Sequence, residues 1–135
     1  MTRGAADEAR AIQMLRTING AQVAYFDRCD GYAPSLIELI RAGDLSSSGV
    51  SPEGTMLEGG YRITVVPSAS AASVSNGWDG CGEGVTDYFA HADPARPVRA
   101  SRYLATDSGG TIVHDTKTIA NPIPATTRPV GEQEK

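Results

Sequence analysis

Along the first fifth of the chain, apolar residues return every three or four positions. Ile12, Leu15, Ile18, Ala21 or Gln22, and Tyr25 make one stripe, while Asp7, Glu8, Arg10, Arg16 and Asn19 take other faces. That spacing predicts an amphipathic helix over about residues 5–27. Asp7 and Glu8 in its early turns and Arg28 near its end suit the helix dipole, and Gly31 is expected to stop it in the left-handed conformation. "PSLIELIRAG" predicts a second, short helix over about 35–42. Ser35 is its N-cap, Glu38 closes a capping box, Leu36, Leu39 and Ile40 turn inward, and Gly43 terminates it.

The period then changes to two. After a Ser/Gly-rich connection from Asp44 to Gly60, anchored by Leu45, Val50 and Leu57, "YRITVV" alternates Tyr61, Ile63 and Val65 against Arg62 and Thr64. Strands are predicted over about 60–67, 85–92, 100–106 and 111–115, with a flexible loop from Ser68 to Gly84 held by Trp78 and Cys81, and a turn at Ser108–Gly110. An antiparallel meander of about four strands has one apolar face, and the stripe of Ile12, Leu15, Ile18 and Tyr25 is the surface available to cover it. The expected fold class is therefore α+β, with one domain over residues 1–119 and a proline-rich, extended C-terminal tail over 120–135.

Composition narrows the function. A chain of 135 residues, 40% hydrophobic and with 15 glycines, supports one small core. The net charge is −4 and the 12 basic residues form no block, so nucleic acid and anionic membranes find no electrostatic footprint. No apolar run is long enough to span a bilayer, and the chain itself is expected to be soluble.

Candidate chemistry is sparse. His91 and His114 fall inside strand patterns without metal-ligand spacing. No nucleophile elbow accompanies the many serines, which suit turns. Asp79, Glu83 and Asp87, with Asp107 near in the fold, are weak calcium candidates lacking the EF-hand pattern. The reading is no catalytic residue, no cofactor and no assigned metal, hence no enzyme. Cys29 and Cys81 are the strongest pair, one at the helix end and one in the inter-strand loop. They make either a disulfide closing about 50 residues and contributing on the order of 4 kcal/mol, or two buried thiols. Their glycine and charged neighbours favour the disulfide.

The order of features, "DEARAIQMLRTINGAQVAYFDRCDGYAPSLIELIRAG", "GYRITVV", "DYFAHADP" and "SRYLATDSGGTIVHD", resembles the soluble domain of bacterial type IV pilins and type II secretion pseudopilins. Gly31, Tyr32, Pro34, Leu36 and Leu39 match that family's short second helix, and Asp107, Gly110, Thr111 and Ile112 its closing hairpin. The resemblance covers about residues 5–115. It implies a structural subunit of an extracellular pilus used in adhesion, motility or DNA uptake, or else the major pseudopilin of a secretion system. Partners would be copies of itself, joined through an apolar N-terminal helix absent from this sequence, or a separate helical chain, together with the pilus or secretion assembly machinery. The location implied is an extracellular pilus or the periplasmic face of a bacterial inner membrane. The rival reading is a periplasmic or cell-surface binding module with Trp78, Tyr88 and Tyr103 as an aromatic contact surface.

Overall fold

The computed structural model describes residues 3–46, 50–74, 80–96 and 102–130, with side chains from Ala6 onward. The 3.6-residue period becomes helix α1, Arg3–Cys29, about 40 Å long at 1.5 Å per residue. Its buried stripe is Ala11, Leu15, Ile18, Ala21, Gln22, Tyr25 and Cys29, with Ile12 partly buried beside it. Two expectations about its ends change. Because α1 begins at Arg3, Asp7 and Glu8 lie beyond the first turn and do not serve the dipole, whereas Arg28 does occupy the last turn. The left-handed residue after the helix is Asp30, at φ 59°, whose N–H donates to the Phe26 carbonyl at 2.8 Å. A short polar side chain tolerates that conformation. Gly31 has another use: a Cβ there would press on Val74 at 3.3 Å, so glycine permits the chain to turn close against the next layer.

Helix α2, Leu36–Arg41, starts where Ser35 Oγ accepts the Glu38 N–H at 3.1 Å. The Glu38 carboxylate pairs with Arg41. Leu36 and Leu39 are buried, and Gly43 follows at φ 88°.

The sheet has six strands rather than four. In spatial order they are β1 (Met56–Glu58), β2 (Tyr61–Pro67), β5 (Tyr88–Pro94), β6 (Tyr103–Asp107), β7 (Val113–Asp115) and β8 (Arg128–Pro129), every neighbour antiparallel. Between β2 and β5, β3 (Ser73–Val74) and β4 (Gly84–Val85) form a separate pair. The four predicted strands correspond to β2, β5, β6 and β7. β1 is too short for alternation to reveal, and its hairpin depends on Gly59 and Gly60 at φ 57° and 79°, the mirror-image turn that suits strand twist. A Cβ on Gly59 would stand 3.0 Å from the Asp7 carbonyl, so this turn rests directly on α1.

The sheet is apolar on both faces. Tyr61, Ile63, Val65, Tyr88, Ala90, Ala92 and Leu104 meet α1, as their alternation requires. On the other face Phe89, Ala105, Val113 and Ile119 form a second cluster, with Val66, Tyr103 and Ile123 packed against it. The described part of the expected tail is therefore structural. Ile119 and Ile123 cover the far face, Asn121 bonds Pro67 and Ala69, β8 extends the sheet, and the Val130 N–H donates to Ile112 at 2.8 Å. Proline lowers the count of backbone donors, and an edge strand is the position in a sheet that tolerates this. Residues 131–135 lie outside the described residues.

Candidate functional site

Two places concentrate specific interactions. The first is the C-terminal end of α1. Gln22, Tyr25 and Cys29 lie on one helix face, and each ties the helix to a different backbone segment. The Gln22 Nε2 donates to the Ala33 carbonyl and its Oε1 accepts the Ala33 N–H, both at 2.8 Å and both buried. The Tyr25 hydroxyl donates to the Glu83 carbonyl at 2.8 Å. Cys29 is bonded to Cys81, with Cα atoms 5.6 Å apart across a separation of 52 residues. Tyr32 and Val85 exchange backbone hydrogen bonds of 2.8 and 2.9 Å, so the strap after α1 and the segment carrying Cys81 close around the helix together. Arg28 reinforces the same end with two contacts of 2.8 Å to Asp44, and this carboxylate raises the guanidinium above its ordinary pKa.

Midway along α1, Asn19 stands off the apolar stripe. It is half-buried over the sheet, where the Tyr88 hydroxyl donates to its Oδ1 at 2.5 Å and its Nδ2 donates to Thr106 Oγ1 at 3.0 Å. Thr106 in turn donates to the Thr111 carbonyl at 3.0 Å. Tyr88 is also flanked by Tyr32 at 5.1 Å, and Tyr32 by Phe26 at 4.7 Å. Tyr88 is therefore core, not contact surface, and Tyr103 belongs to the far-face cluster. Trp78 lies outside the described residues.

The second place is the sheet edge beside the start of α1. His114 on β7 is paired directly with Arg128 on β8, which puts both side chains on the α1 side of the sheet. Arg102 lies 3.4 Å from His114 Nδ1 and forms a bidentate ion pair with Glu8 of α1, its Nε donating to Oε1 at 3.1 Å. A cavity of about 260 Å³ opens here, lined by His114, Asp115, Thr116, Thr126, Thr127 and Arg128.

Of the calcium candidates, Asp79 lies outside the described residues. Glu83 offers its carbonyl to Tyr25, and Asp87 Oδ1 accepts the N–H groups of Tyr88 and Ser108 at 2.8 and 3.2 Å. Asp107 Oδ1 accepts the Gly109 N–H within its own turn. Among the described residues, no group of three His, Cys, Asp or Glu side chains is placed to hold a metal. The histidines occupy opposite faces of the sheet: His91 on β5 stacks on Phe89 and contacts Asp93 at 3.2 Å, with β6 between it and His114 on β7. No described helix is long and apolar enough to cross a membrane. Comparison with protein-family models, curated proteins and solved structures gives no match.

The Gln22 clamp and the His114–Arg128 edge are absent from the sequence-based site. Gln22 did stand in the apolar stripe, and a polar residue at a core position was the signal. Arg128 carried none, since its segment read as a tail.

Proposed function

We propose that this protein is a non-enzymatic structural subunit of an extracellular filament of the type IV pilus kind. The observation that supports the reading is the treatment of α1: its inner stripe is laid along an antiparallel sheet, and its far end is locked by Gln22, Tyr25 and the Cys29–Cys81 bond. A subunit that must transmit contacts along a helix needs such a fixed joint between helix and globular body. The disulfide is consistent with an oxidising compartment outside the cytoplasm. Because the buried stripe of α1 is used by the sheet, the filament core would come from an apolar helical segment joined to α1 or from a separate helical chain. Such a segment would be helical in lipid, where every backbone group must be paired internally. Asp7 and Arg10, 3.7 Å apart on the early turns, are available to neighbouring subunits, whereas Glu8 is engaged by Arg102 within the subunit.

Light scattering after size exclusion should find residues 1–135 monomeric, and electron microscopy of cells producing the protein with an apolar helix joined to α1 should find filaments. Ordered filaments of residues 1–135 alone would overturn the helix-core reading. The alternative, a secretion pseudopilin, shares this plan and differs in the same experiment by leaving no long filaments at the cell surface.

A further inference from the structure

We propose that two copies of this chain pair through the outer flank of α1, as antiparallel helices about a two-fold axis, a contact that the filament reading neither requires nor supplies. The first ground is a second line of residues along α1. Arg16, Gly20, Val23 and Asp27 follow one another at steps of four, three and four, so they share one helix face, and all four are exposed. Phe26 stands on the shoulder of that line, and Asp30 lies just past the helix end. Val23 is 57% exposed and Phe26 38%, the large apolar side chains that α1 leaves to solvent among the described residues. Phe26 is supported from behind by Tyr32, 4.7 Å away, which rests in turn on Tyr88. Glycine inside a helix destabilises it relative to alanine. A Cβ at Gly20 would meet nothing within 4 Å, so the fold of one chain makes no use of the gap.

The second ground is that this line complements itself when reversed. The side chains of Arg16, Asp27 and Asp30 make no hydrogen bond or ion pair among the described residues. With the two-fold axis beside Val23, that residue meets its own copy. Phe26, three residues on, faces Gly20, three residues back, where the missing Cβ leaves room for a ring. Arg16, seven residues back, faces Asp30, seven on, with Asp27 one turn nearer the axis, so each end of the pair joins one guanidinium to two carboxylates. The symmetry makes every contact twice. A parallel pair would instead set Arg16 against Arg16 and Asp27 against Asp27, and like charges so placed are costly. A two-fold contact closes on itself, so it yields a dimer and does not propagate. A flank of about four turns buries less than the roughly 1,200 Å² of a standard stable interface. The dissociation constant is therefore set at about 0.1–1 mM, and the dilute protein on a size-exclusion column is monomeric.

The test is NMR of the isotope-labelled chain diluted from about 1 mM to about 20 µM, read by amide shifts and translational diffusion. Expected are concentration-dependent shifts centred on residues 16–30, and diffusion that slows towards that of a dimer and no further. Arg16→Glu and Asp27→Lys should each weaken pairing by about tenfold or more. An equimolar mixture of the two variants should pair more tightly than either alone, because Glu then meets Lys at one end while Arg16 meets Asp27 at the other. Arg62→Glu, exposed on the far face of the sheet, should leave pairing unchanged. No concentration dependence up to about 1 mM, shifts confined to other surfaces, growth beyond a dimer, equal loss in Arg62→Glu, or a mixture no tighter than its components overturns the pairing. Each of these results leaves the filament test standing, since that test needs the apolar helix and this one does not.

Discussion

A glutamine in the middle of an apolar stripe is costly unless both ends of its amide are used, and Gln22 uses both on one residue. Its side chain pairs with the backbone of Ala33 as a neighbouring strand would, next to the bridge of Tyr32 with Val85 on β4, so the strap after α1 is held between helix and strand. Replacing it by leucine keeps the volume but leaves a buried N–H and a buried carbonyl unpaired, each costing about 1–3 kcal/mol. Gln22→Leu is therefore expected to destabilise the protein by about 2–4 kcal/mol, read as a lower urea midpoint with an unchanged slope. Retention of the wild-type midpoint would show that the amide pair contributes nothing net. Asn19 follows the same logic with lower stakes, since it is only half-buried.

The elements divide according to how much of their cause is local. α1, α2 and β2 were legible because period, caps and alternation lie within each segment, and the Cys29–Cys81 pairing was legible from its place at a helix end and a loop. β1 was not, because three residues carry no period and only the twin glycines mark the turn. β8 was hidden by its prolines, and its reason lies in the apolar far face that Phe89, Ala105 and Val113 create from distant strands. For the same reason the edge cavity could not be foreseen: His114 and Arg128 meet only through the β7–β8 register. The disulfide is the strongest single tie between elements. Reducing it, or replacing Cys29 and Cys81 by serine, opens a loop spanning 52 residues and is expected to cost about 4 kcal/mol by the chain-entropy estimate. Calorimetry of the oxidised and reduced protein checks this, and coincident melting curves would refute it.

For the molecule as a whole, three buried phenols make stability depend on alkaline pH. Burial, the largest cause in each case, raises Tyr25, Tyr61 and Tyr88 above the ordinary value, with the Glu38 charge adding at Tyr25 and the Glu8 charge adding at Tyr61, which is pushed up to about 12. The unfolded chain loses its phenolic protons near pH 10, before the folded one does. Below that pH the contribution is fully present; as pH rises from about 10 through about 12 the folded state binds more protons, and stability falls. Urea midpoints measured across this range should decline, and Tyr61→Phe should make the decline shallower; an unchanged slope in the variant would exclude Tyr61 as a source. The clamp on α1 also sets how the molecule bears load. Tension along the helix axis, applied on the Arg3 side, would stress the whole length of helix resting on the sheet in shear rather than peeling it turn by turn, and at the far end it would meet a covalent stop at Cys81. Force would then pass into the β4 side of the body through a bond that does not slip, so the oxidised protein behaves as a rigid link and the reduced one as an extensible one.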